Sequence, residues 1–448
     1  MQPNIYKPSP VLLPPDIIKN DGTVQSLLFK YMDALCYPPD GHSLQIYMDN
    51  KILRKDGSRI KDRAEVHFPT DTEKLQILID EPIAIYYDVF LVNNKLLAIG
   101  PCLPGMETLI GKPKLFLTSK QHKVHKKVDY FQQNFIPPAK RKLELVYSHA
   151  LNYLIIEDLP ADLLASPSDW ELCFEYRGFK ALVKIQKNPF IADEKKLTLI
   201  SLQKNQSLDS LANWCDHYVS SHDVQRIVFY NNGRINPPNI PDLPLQHEVE
   251  LWYVEWNYSF QLRFLSCQVG ALTHANWLIK DAATYLMNFD PDEFLVNDSG
   301  IPLVEYLKTL APTGLRITGY EVPPSIPFPK QHNNSIRNLS IAQSKTNTKY
   351  IFSPNHWQAL FVHSARRYTF IMNPAYWTML EHSSSSLSFF WAKHLYRLVF
   401  WPSRLLSFLL SMKRPPKEEI YYLHYRSLNT QWKWSKSFFN RLDKSTNK

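Results

Sequence analysis

The second half of the chain predicts an α/β fold, because short apolar runs of strand length alternate there with runs of helical periodicity. Residues 197–202 form the first strand candidate, and the helical pattern after it begins at Ser207, a good N-cap residue. Strands and helices that alternate in this way imply a largely parallel sheet covered by helices. The later elements are a strand at residues 226–230, a strand at 249–254, a helix from about 268 to 283 and a strand at 285–289.

Three carboxylates follow the last of these strands, in the sequence Asp290-Pro291-Asp292-Glu293. Ligands of an open α/β sheet gather outside the carboxyl ends of its strands, so this position favours a ligand site. Asp290 and Asp292 lie two residues apart, where a turn can direct both at one cation. Nucleotide sites usually hold Mg²⁺ or Mn²⁺ by one or two carboxylates together with phosphate oxygens. Asp-Pro-Asp is also good turn chemistry, and a solvated acidic turn is the alternative.

A series of motifs along the second half resembles glycosyltransferase family 92 and the related family 2-like GT-A transferases. The resemblance covers about residues 197–434. At two positions the sequence departs from the family, which usually has Glu where Gln206 stands and Asp where Asn231 stands. The motifs are, in order, Lys204-Asn205-Gln206, Trp214 with Tyr218, Val228-Phe229-Tyr230-Asn231-Asn232-Gly233, Gln268, Trp277, Asp290-Pro291-Asp292-Glu293-Phe294-Leu295, Lys349-Tyr350-Ile351, Pro354, His363, His424-Tyr425-Arg426 and Trp432-Lys433.

The resemblance implies a Rossmann-like GT-A catalytic domain with a DXD motif at Asp290 and Asp292. Such an enzyme transfers a hexose from a nucleotide sugar, here expected to be a UDP-sugar, to a glycan or glycolipid hydroxyl in surface polysaccharide synthesis, with inversion at the anomeric carbon. The implied cofactor is Mn²⁺ or Mg²⁺. His424 and His363 are candidates for a further metal or phosphate ligand, because a neutral imidazole can complete the coordination of Mn²⁺. The expected donor-binding residues are Lys204, Asn205, Asn231, Asn232, Asp290 and Arg426.

An inverting transferase needs a carboxylate that deprotonates the acceptor hydroxyl. Glu321 is the first candidate, since it follows a short alternating run at residues 315–317 that can deliver it to the sheet edge beside Asp292. Glu381 is the second. The alternative for Glu321 is a structural role that anchors the proline-rich loop after it. The acidic residues between Asp298 and Asp443 are Glu305, Glu321, Glu381, Glu418 and Glu419.

The first half of the chain predicts a β-rich accessory domain at residues 1–190, either a carbohydrate-binding module or a brace for the catalytic domain. The catalytic domain is expected at 195–448, with a nucleotide-sugar half at 195–300 and an acceptor half at 301–448. The lysine-rich segment at 120–127 is expected to be an exposed connection. The strand candidates of the first half are residues 74–79, 83–91, 96–99, 143–147, 172–176 and 181–185.

Composition and charge limit the kinds of binding partner and the cellular compartment that we expect. A formal net charge of +9 indicates an anionic partner. The sequence has no zinc-finger spacing and no glycine-rich phosphate loop, and the charge is spread over the chain, which argues against nucleic acid. Five widely separated cysteines do not form a disulfide framework, and residues 1–8 are polar and contain prolines. These features predict a cytoplasmic protein.

Residues 387–414 form a basic amphipathic segment in which Lys393, Arg397 and Arg404 interrupt apolar runs. The uninterrupted runs are shorter than the ~20 residues that a spanning helix needs. The segment therefore predicts peripheral contact with an anionic membrane at its inner face, and an ordinary core-facing helix pair is the alternative. A second alternative concerns the whole protein. Gln206 and Asn231 are also consistent with a noncatalytic glycan-binding or scaffold protein that retains the fold.

Overall fold

The structure is a computed structural model, and it describes most of the chain in separate ranges. These ranges are residues 3–36, 45–48, 51–54, 71–72, 75–76, 83–101, 106–119, 121, 123–135, 151–190, 194–203, 206–231, 243–256, 260–322, 348–354, 359–361, 364–366, 413–416 and 419–425.

The first half of the chain is rich in short strands. The strands are β1 Asn4–Tyr6, β2 Val11–Leu13, β3 Gln45–Met48, β4 Lys51–Arg54, β5 Ile83–Tyr86, β6 Asp88–Val92, β7 Lys95–Pro101, β8 Lys114–Ser119, β9 Val124–Val128, β10 Phe131–Phe135, β11 Leu151–Ile156, β12 Glu171–Glu175 and β13 Lys180–Lys184. The helices are α1 Pro15–Asn20, α2 Gly22–Cys36, α3 Met106–Ile110 and α4 Ala161–Ala165, with a 3₁₀ turn at Pro167–Asp169.

The second half alternates strands with longer helices, and the predicted α/β class is confirmed. Its helices are α5 Leu208–His222, α6 Phe260–Ile279 and α7 Leu303–Leu310. Its strands are β14 Lys196–Gln203, β15 Arg226–Asn231, β16 Glu250–Glu255, β17 Ala283–Asn288, β18 Glu293–Asn297, β19 Gly314–Glu321, β20 Lys349–Phe352, β21 Ala359–Phe361, β22 Ser364–Arg366 and β23 Ile420–His424.

One large sheet of nine strands organises the second half, in the order β1-β16-β15-β14-β17-β20-β19-β23-β18. Strands β14, β15 and β16 extend in chain order to one side, and β17 pairs in parallel with the other side of β14. The strand order therefore reverses between β14 and β17. In a doubly wound sheet, such a switch point is where the ligand crevice lies, at the carboxyl ends of the strands.

Two four-stranded antiparallel sheets occupy the first half, in the orders β10-β11-β7-β6 and β13-β12-β8-β9. The predicted runs at 83–91, 96–99, 172–176 and 181–185 lie in strands of this half except for Tyr87, Tyr176 and Ile185. In the run at 74–79, which was predicted to be a strand, the described residues Leu75 and Gln76 are helical. Such a short alternating run does not distinguish a strand from a helix. The run at 143–147 lies outside the described residues. The described residues of the lysine-rich segment at 120–127 are mostly exposed, as expected, but Val124 and the three residues after it belong to strand β9 and not to a connection.

Alternate residues of the large sheet pack into two different cores. On β15, Ile227 and Phe229 join α5 and α7, whereas Val228 and Tyr230 join α6, as the period of two in a strand requires. The α6 core also contains side chains of the first half, such as Phe90. Strand β1 extends the large sheet by pairing with β16. Residues of the first half therefore contribute both to the large sheet and to one of its cores. The domain boundary at residue 190 remains a prediction.

The predicted start of α5 is confirmed: Ser207 Oγ accepts a hydrogen bond from the Ser210 amide at 3.3 Å. The helix expected at 268–283 differs from the observed one. α6 begins earlier, at Phe260, and ends at Ile279, while Ala283 opens β17. A turn between them, closed by the bond from the Ala282 amide to the Ile279 carbonyl, redirects the chain into the sheet.

A fully buried polar network joins the first half to α6. Asp88 accepts hydrogen bonds from the Tyr6 hydroxyl at 2.7 Å and from the amides of Ser9 and Val89. His274 on α6 places Nε2 2.8 Å from Asp88 Oδ2, and the Tyr230 hydroxyl lies 2.7 Å from its Nδ1. A buried carboxylate is stable when several donors satisfy it in this way.

We expect Asp88→Ala to lower the free energy of unfolding by about 3–5 kcal/mol, because it leaves several buried donors without an acceptor. Denaturant titration followed by circular dichroism measures the change. Asp129→Ala, at an exposed position, is the control, with an expected effect within about 0.5 kcal/mol. Equal effects in the two variants would contradict the structural role of the network.

Within the described part of the chain, no helix is long and apolar enough to cross a membrane. Most of the basic segment at 387–414 falls outside the described residues. Its membrane contact and the cytoplasmic location both remain predictions.

Candidate functional site

The topology of the large sheet brings five strands together at one edge. β17 and β19 end there, and the antiparallel β20 begins there. β23 runs parallel to β19 and ends beside it, while β18 begins opposite that end. Residues that are distant in sequence therefore meet at this carboxyl edge. The described ionisable residues that meet there are Asp290, Asp292, Glu293, Glu321, Lys349 and His424. We call them the edge cluster.

Asp290-Pro291-Asp292-Glu293 is a tight turn that closes on itself. The Glu293 amide donates to the Asp290 carbonyl at 2.9 Å, and Glu293 Oε2 accepts from the Asp290 amide at 2.8 Å. The predicted turn chemistry is therefore real, and it does not exclude the predicted ligand role. The Asp290 side chain is 37% exposed, whereas Asp292 is buried. Asp290 is thus the carboxylate of the turn that a ligand in solvent can reach.

A fully buried lysine neutralises part of this turn. Lys349 Nζ lies 2.8 Å from Asp290 Oδ2 and 2.9 Å from Glu293 Oε2. Burial alone would lower the pKa of Lys349, but the charges of Asp290 and Glu293 outweigh it and raise that pKa. Burial raises the pKa of Glu293 to about 7, against the opposing effect of Lys349. The ammonium group therefore fixes the orientation of two carboxylates at the site.

His424 lies between two buried carboxylates. Its Nε2 is 3.3 Å from Asp292 Oδ2, and its Nδ1 is 3.5 Å from Glu321 Oε1. Burial would lower the pKa of His424, but the charge of Asp292 and the hydrogen bonds with Asp292 and Glu321 raise it to about 10. His424 is therefore an imidazolium cation at neutral pH in this arrangement. Before His424 could bind a metal ion, its imidazole would have to break its contact with Asp292 or Glu321 and lose a proton.

The backbone holds these groups in register. The Tyr425 amide donates to the Asp292 carbonyl at 2.8 Å, and the Val322 amide donates to the His424 carbonyl at 3.0 Å. Glu321 is the last residue of β19 and pairs with His424 across the sheet. The structure therefore places Glu321 at the sheet edge, separated from Asp292 by one imidazole. Its role as a base is not decided by this placement.

Helix α5 anchors the start of β18. Trp214 Nε1 and the Tyr218 hydroxyl both donate to the Glu293 carbonyl, at 2.9 and 3.0 Å. His217 and His222 contact the next inward-facing carbonyl, that of Leu295, at 2.8 and 2.9 Å. The Trp214 and Tyr218 motif is thus structural: it fixes the turn that carries the carboxylates.

A second polar group lies at the carboxyl ends of β14 and β15. Gln203 Nε2 donates to Asn231 Oδ1 at 2.8 Å, and both side chains are buried. Asn231, an expected donor-binding residue, therefore lies at the sheet edge on the other side of the switch point from Asp290. Gln203 was not predicted. The remaining predicted site residues lie outside the described residues: Lys204, Asn205, Asn232, His363, Glu381 and Arg426.

The edge cluster can hold a metal ion only if another molecule supplies part of the coordination. Among the described residues, no group of three or more His, Cys, Asp or Glu side chains is arranged to enclose a metal ion. Asp290 and Asp292 offer the carboxylate oxygens that Mg²⁺ and Mn²⁺ prefer. Two carboxylates are enough where phosphate oxygens complete the coordination. The residues therefore fit a cation that enters with a diphosphate, and they do not form a closed protein cage.

Comparison with known proteins adds little to this geometry. No known family matches the sequence, and no curated protein matches it. One matching solved structure is "Crystal structure of HddC from Yersinia pseudotuberculosis", with 12% sequence identity over 40% of this chain and 84% of that chain. The TM-score of 0.22 is too low to support an argument. The transferase resemblance therefore remains a prediction.

The raised pKa of His424 predicts a pH dependence of stability. Since the pKa rises from 6.5 to about 10 on folding, the stabilisation is complete below pH 6.5 and is lost as the pH rises through about 10. We expect the cost of His424→Asn in free energy of unfolding to shrink steadily over this range. Denaturant titration of both proteins at several pH values measures it, with the exposed His125→Asn as control. A cost that is constant or grows with pH would contradict the assignment.

Proposed function

We propose that residues 195–448 form a GT-A glycosyltransferase domain that moves a hexose from a nucleotide sugar, expected to be a UDP-sugar, to a glycan or glycolipid hydroxyl. The observation that carries the proposal is the edge cluster beside the switch point. Its four carboxylates face one ammonium and one imidazolium group, which leaves an excess of two negative charges when all are ionised. A divalent cation would balance that excess.

The position of the cluster agrees with a nucleotide donor. Asp290 follows β17 and Asn231 ends β15, on the two sides of the β14–β17 reversal. A nucleotide in that crevice would lie across the carboxyl ends of β14 and β17, with its diphosphate near Asp290. The net charge of +9 is consistent with an anionic ligand.

Asp290 and Asp292 would hold the cation, Mn²⁺ or Mg²⁺, together with the diphosphate. Bound there, the cation would neutralise the negative charge that develops on the leaving diphosphate. Lys349 holds Asp290 and Glu293 in place through its two ion pairs. The His424 cation holds the buried Asp292 and adds a second positive charge near the departing group.

Glu321 is the proposed acceptor base. In the transfer, the acceptor oxygen bonds to the anomeric carbon, the bond from that carbon to the diphosphate oxygen breaks, and the acceptor proton passes to Glu321. Glu321 Oε1 lies 3.5 Å from His424 Nδ1. The side chain is buried in this arrangement, so it must part from the imidazole before it can reach an acceptor hydroxyl. Glu381 remains the second candidate.

One observation favours a noncatalytic glycan-binding or scaffold protein instead. Lys349 already pairs with two of the carboxylates, so the turn is partly neutralised without any metal. Burial also raises the pKa of Glu293, which favours its neutral form and lowers the demand for a cation further.

A panel of nucleotide sugars, incubated with the full chain and Mn²⁺, tests the proposal. We expect metal-dependent release of the nucleoside diphosphate from at least one donor, increased by glycan acceptors. Binding of glycans without release from any donor, and without affinity for any nucleotide, would support the noncatalytic protein and contradict the transferase.

A further inference from the structure

The hairpin of β8 and β9 carries positive charge that the edge cluster does not use. Residues 119–128 include Lys120, Lys123, Lys126 and Lys127 and no acidic residue. The three described lysines of this group, all but Lys120, are exposed. β9 is the outermost strand of its sheet within the described residues. Lysines on an edge strand can simply prevent pairing with another chain.

That protective role does not explain Phe131. Its side chain is 72% exposed, and it opens β10, the outermost described strand of the neighbouring sheet. The Tyr130 hydroxyl donates to the Pro113 carbonyl at 2.8 Å, which ties the connection between β9 and β10 to the base of the hairpin. Phe131 lies four residues after Lys127, at most about 14 Å away along the chain. An aromatic side chain is therefore exposed to solvent within about 14 Å of chain from the nearest lysine.

We propose that this surface, formed by Lys123, Lys126, Lys127 and Phe131 and here called the basic corner, binds an anionic lipid bilayer. Lysines attract anionic headgroups, and an exposed aromatic ring gains by entering the boundary between headgroups and acyl chains. The basic corner joins both features at the outer edges of two sheets. The proposal does not depend on the transfer reaction, and it involves residues other than those of the segment at 387–414.

The same surface fits nucleic acid less well. Proteins that bind single strands stack successive bases on several aromatic side chains along a groove. Among the exposed large hydrophobic residues that the structure describes, Phe131 is the one aromatic residue.

Co-sedimentation of the full chain with vesicles tests the proposal. We expect binding to phosphatidylcholine vesicles that contain phosphatidylglycerol, weak binding to phosphatidylcholine alone, and a loss of binding as salt is added. Lys126 and Lys127 are successive residues of β9 and project from opposite faces of this edge strand. Lys126→Gln with Lys127→Gln should therefore weaken binding to the anionic vesicles by about fivefold to 25-fold, or roughly fivefold for each lysine that lies near the bilayer. Phe131→Ser should weaken it as well, whereas Phe131→Leu, which keeps an apolar side chain, should retain most of it.

The opposite edge of the same sheet supplies a matched control. β13 carries the exposed Leu182 and Lys184, and Leu182→Ser with Lys184→Gln should leave vesicle binding unchanged. Circular dichroism confirms that each variant is folded. The proposal is overturned if the wild-type protein ignores anionic vesicles or prefers single-stranded nucleic acid. It is equally overturned if the control weakens binding as much as the corner variants do, or if only Lys393→Gln, Arg397→Gln and Arg404→Gln abolish it.

Discussion

Asp292→Asn is expected to reduce sugar transfer by roughly 10²–10³-fold or more, the scale seen when one group that stabilises developing charge is removed. The substitution keeps the shape of the side chain but removes one negative charge from the site. It also removes the charge that faces His424 at 3.3 Å, so some loss of stability should accompany the loss of activity. Initial rates with and without Mn²⁺ measure the first effect, and thermal unfolding measures the second.

Asp298→Asn is the matched control for this variant. Asp298 follows the far end of β18 and accepts a hydrogen bond from the Tyr421 hydroxyl at 3.2 Å, which an asparagine oxygen can also accept. We expect nearly wild-type transfer from it. Rates that persist in Asp292→Asn, or that a chelator does not change, would remove the metal role from the turn.

Glu321→Gln is expected to reduce the rate of transfer by about 10²–10⁴-fold while leaving the affinity for donor and metal near that of the wild type, because a base acts on the acceptor hydroxyl. The matched control is Glu419→Gln, which keeps an acceptor for the Tyr306 hydroxyl at 3.0 Å and lies outside the edge cluster. Glu321 also faces His424. If its role is only to position His424, the variant should instead lower stability and metal affinity together, with a modest change in rate.

Local patterns predicted much of the parallel part of the sheet. β14, β15 and the start of α5 were predicted within a residue or two, because each has a clear apolar periodicity and a recognisable start or turn. The end of α6 was placed too late, although Lys280-Asp281 interrupts the apolar pattern after Ile279 and Ala283 already belongs to β17. In the first half, β5, β6, β7, β12 and β13 were predicted, whereas β1 to β4 and β8 to β11 were not. No pairing was predicted there, because the order of strands in an antiparallel sheet depends on contacts between distant segments.

The candidate site was only partly predictable for the same reason. Asp290 and Asp292 follow directly from a strand end and a spacing of two. Lys349 carries no local signal: it reaches the site because β20 inserts antiparallel between β17 and β19 and so begins at the edge where they end. The contact of Glu321 with His424 likewise depends on the parallel pairing of β19 with β23. Sequence patterns locate strand ends, whereas the partners of those ends are set by topology.

Calorimetric titration of the full chain with UDP, in the presence and absence of Mn²⁺, tests the central claim most directly. The account predicts that UDP binds when Mn²⁺ is present and binds far more weakly without it, and that Asp290→Asn reduces the metal-dependent part. This follows because the exposed Asp290 and its neighbour Asp292 complete a cation site only together with a diphosphate. UDP that fails to bind under either condition, or that binds equally well without a cation, would contradict a metal-diphosphate site at the edge cluster.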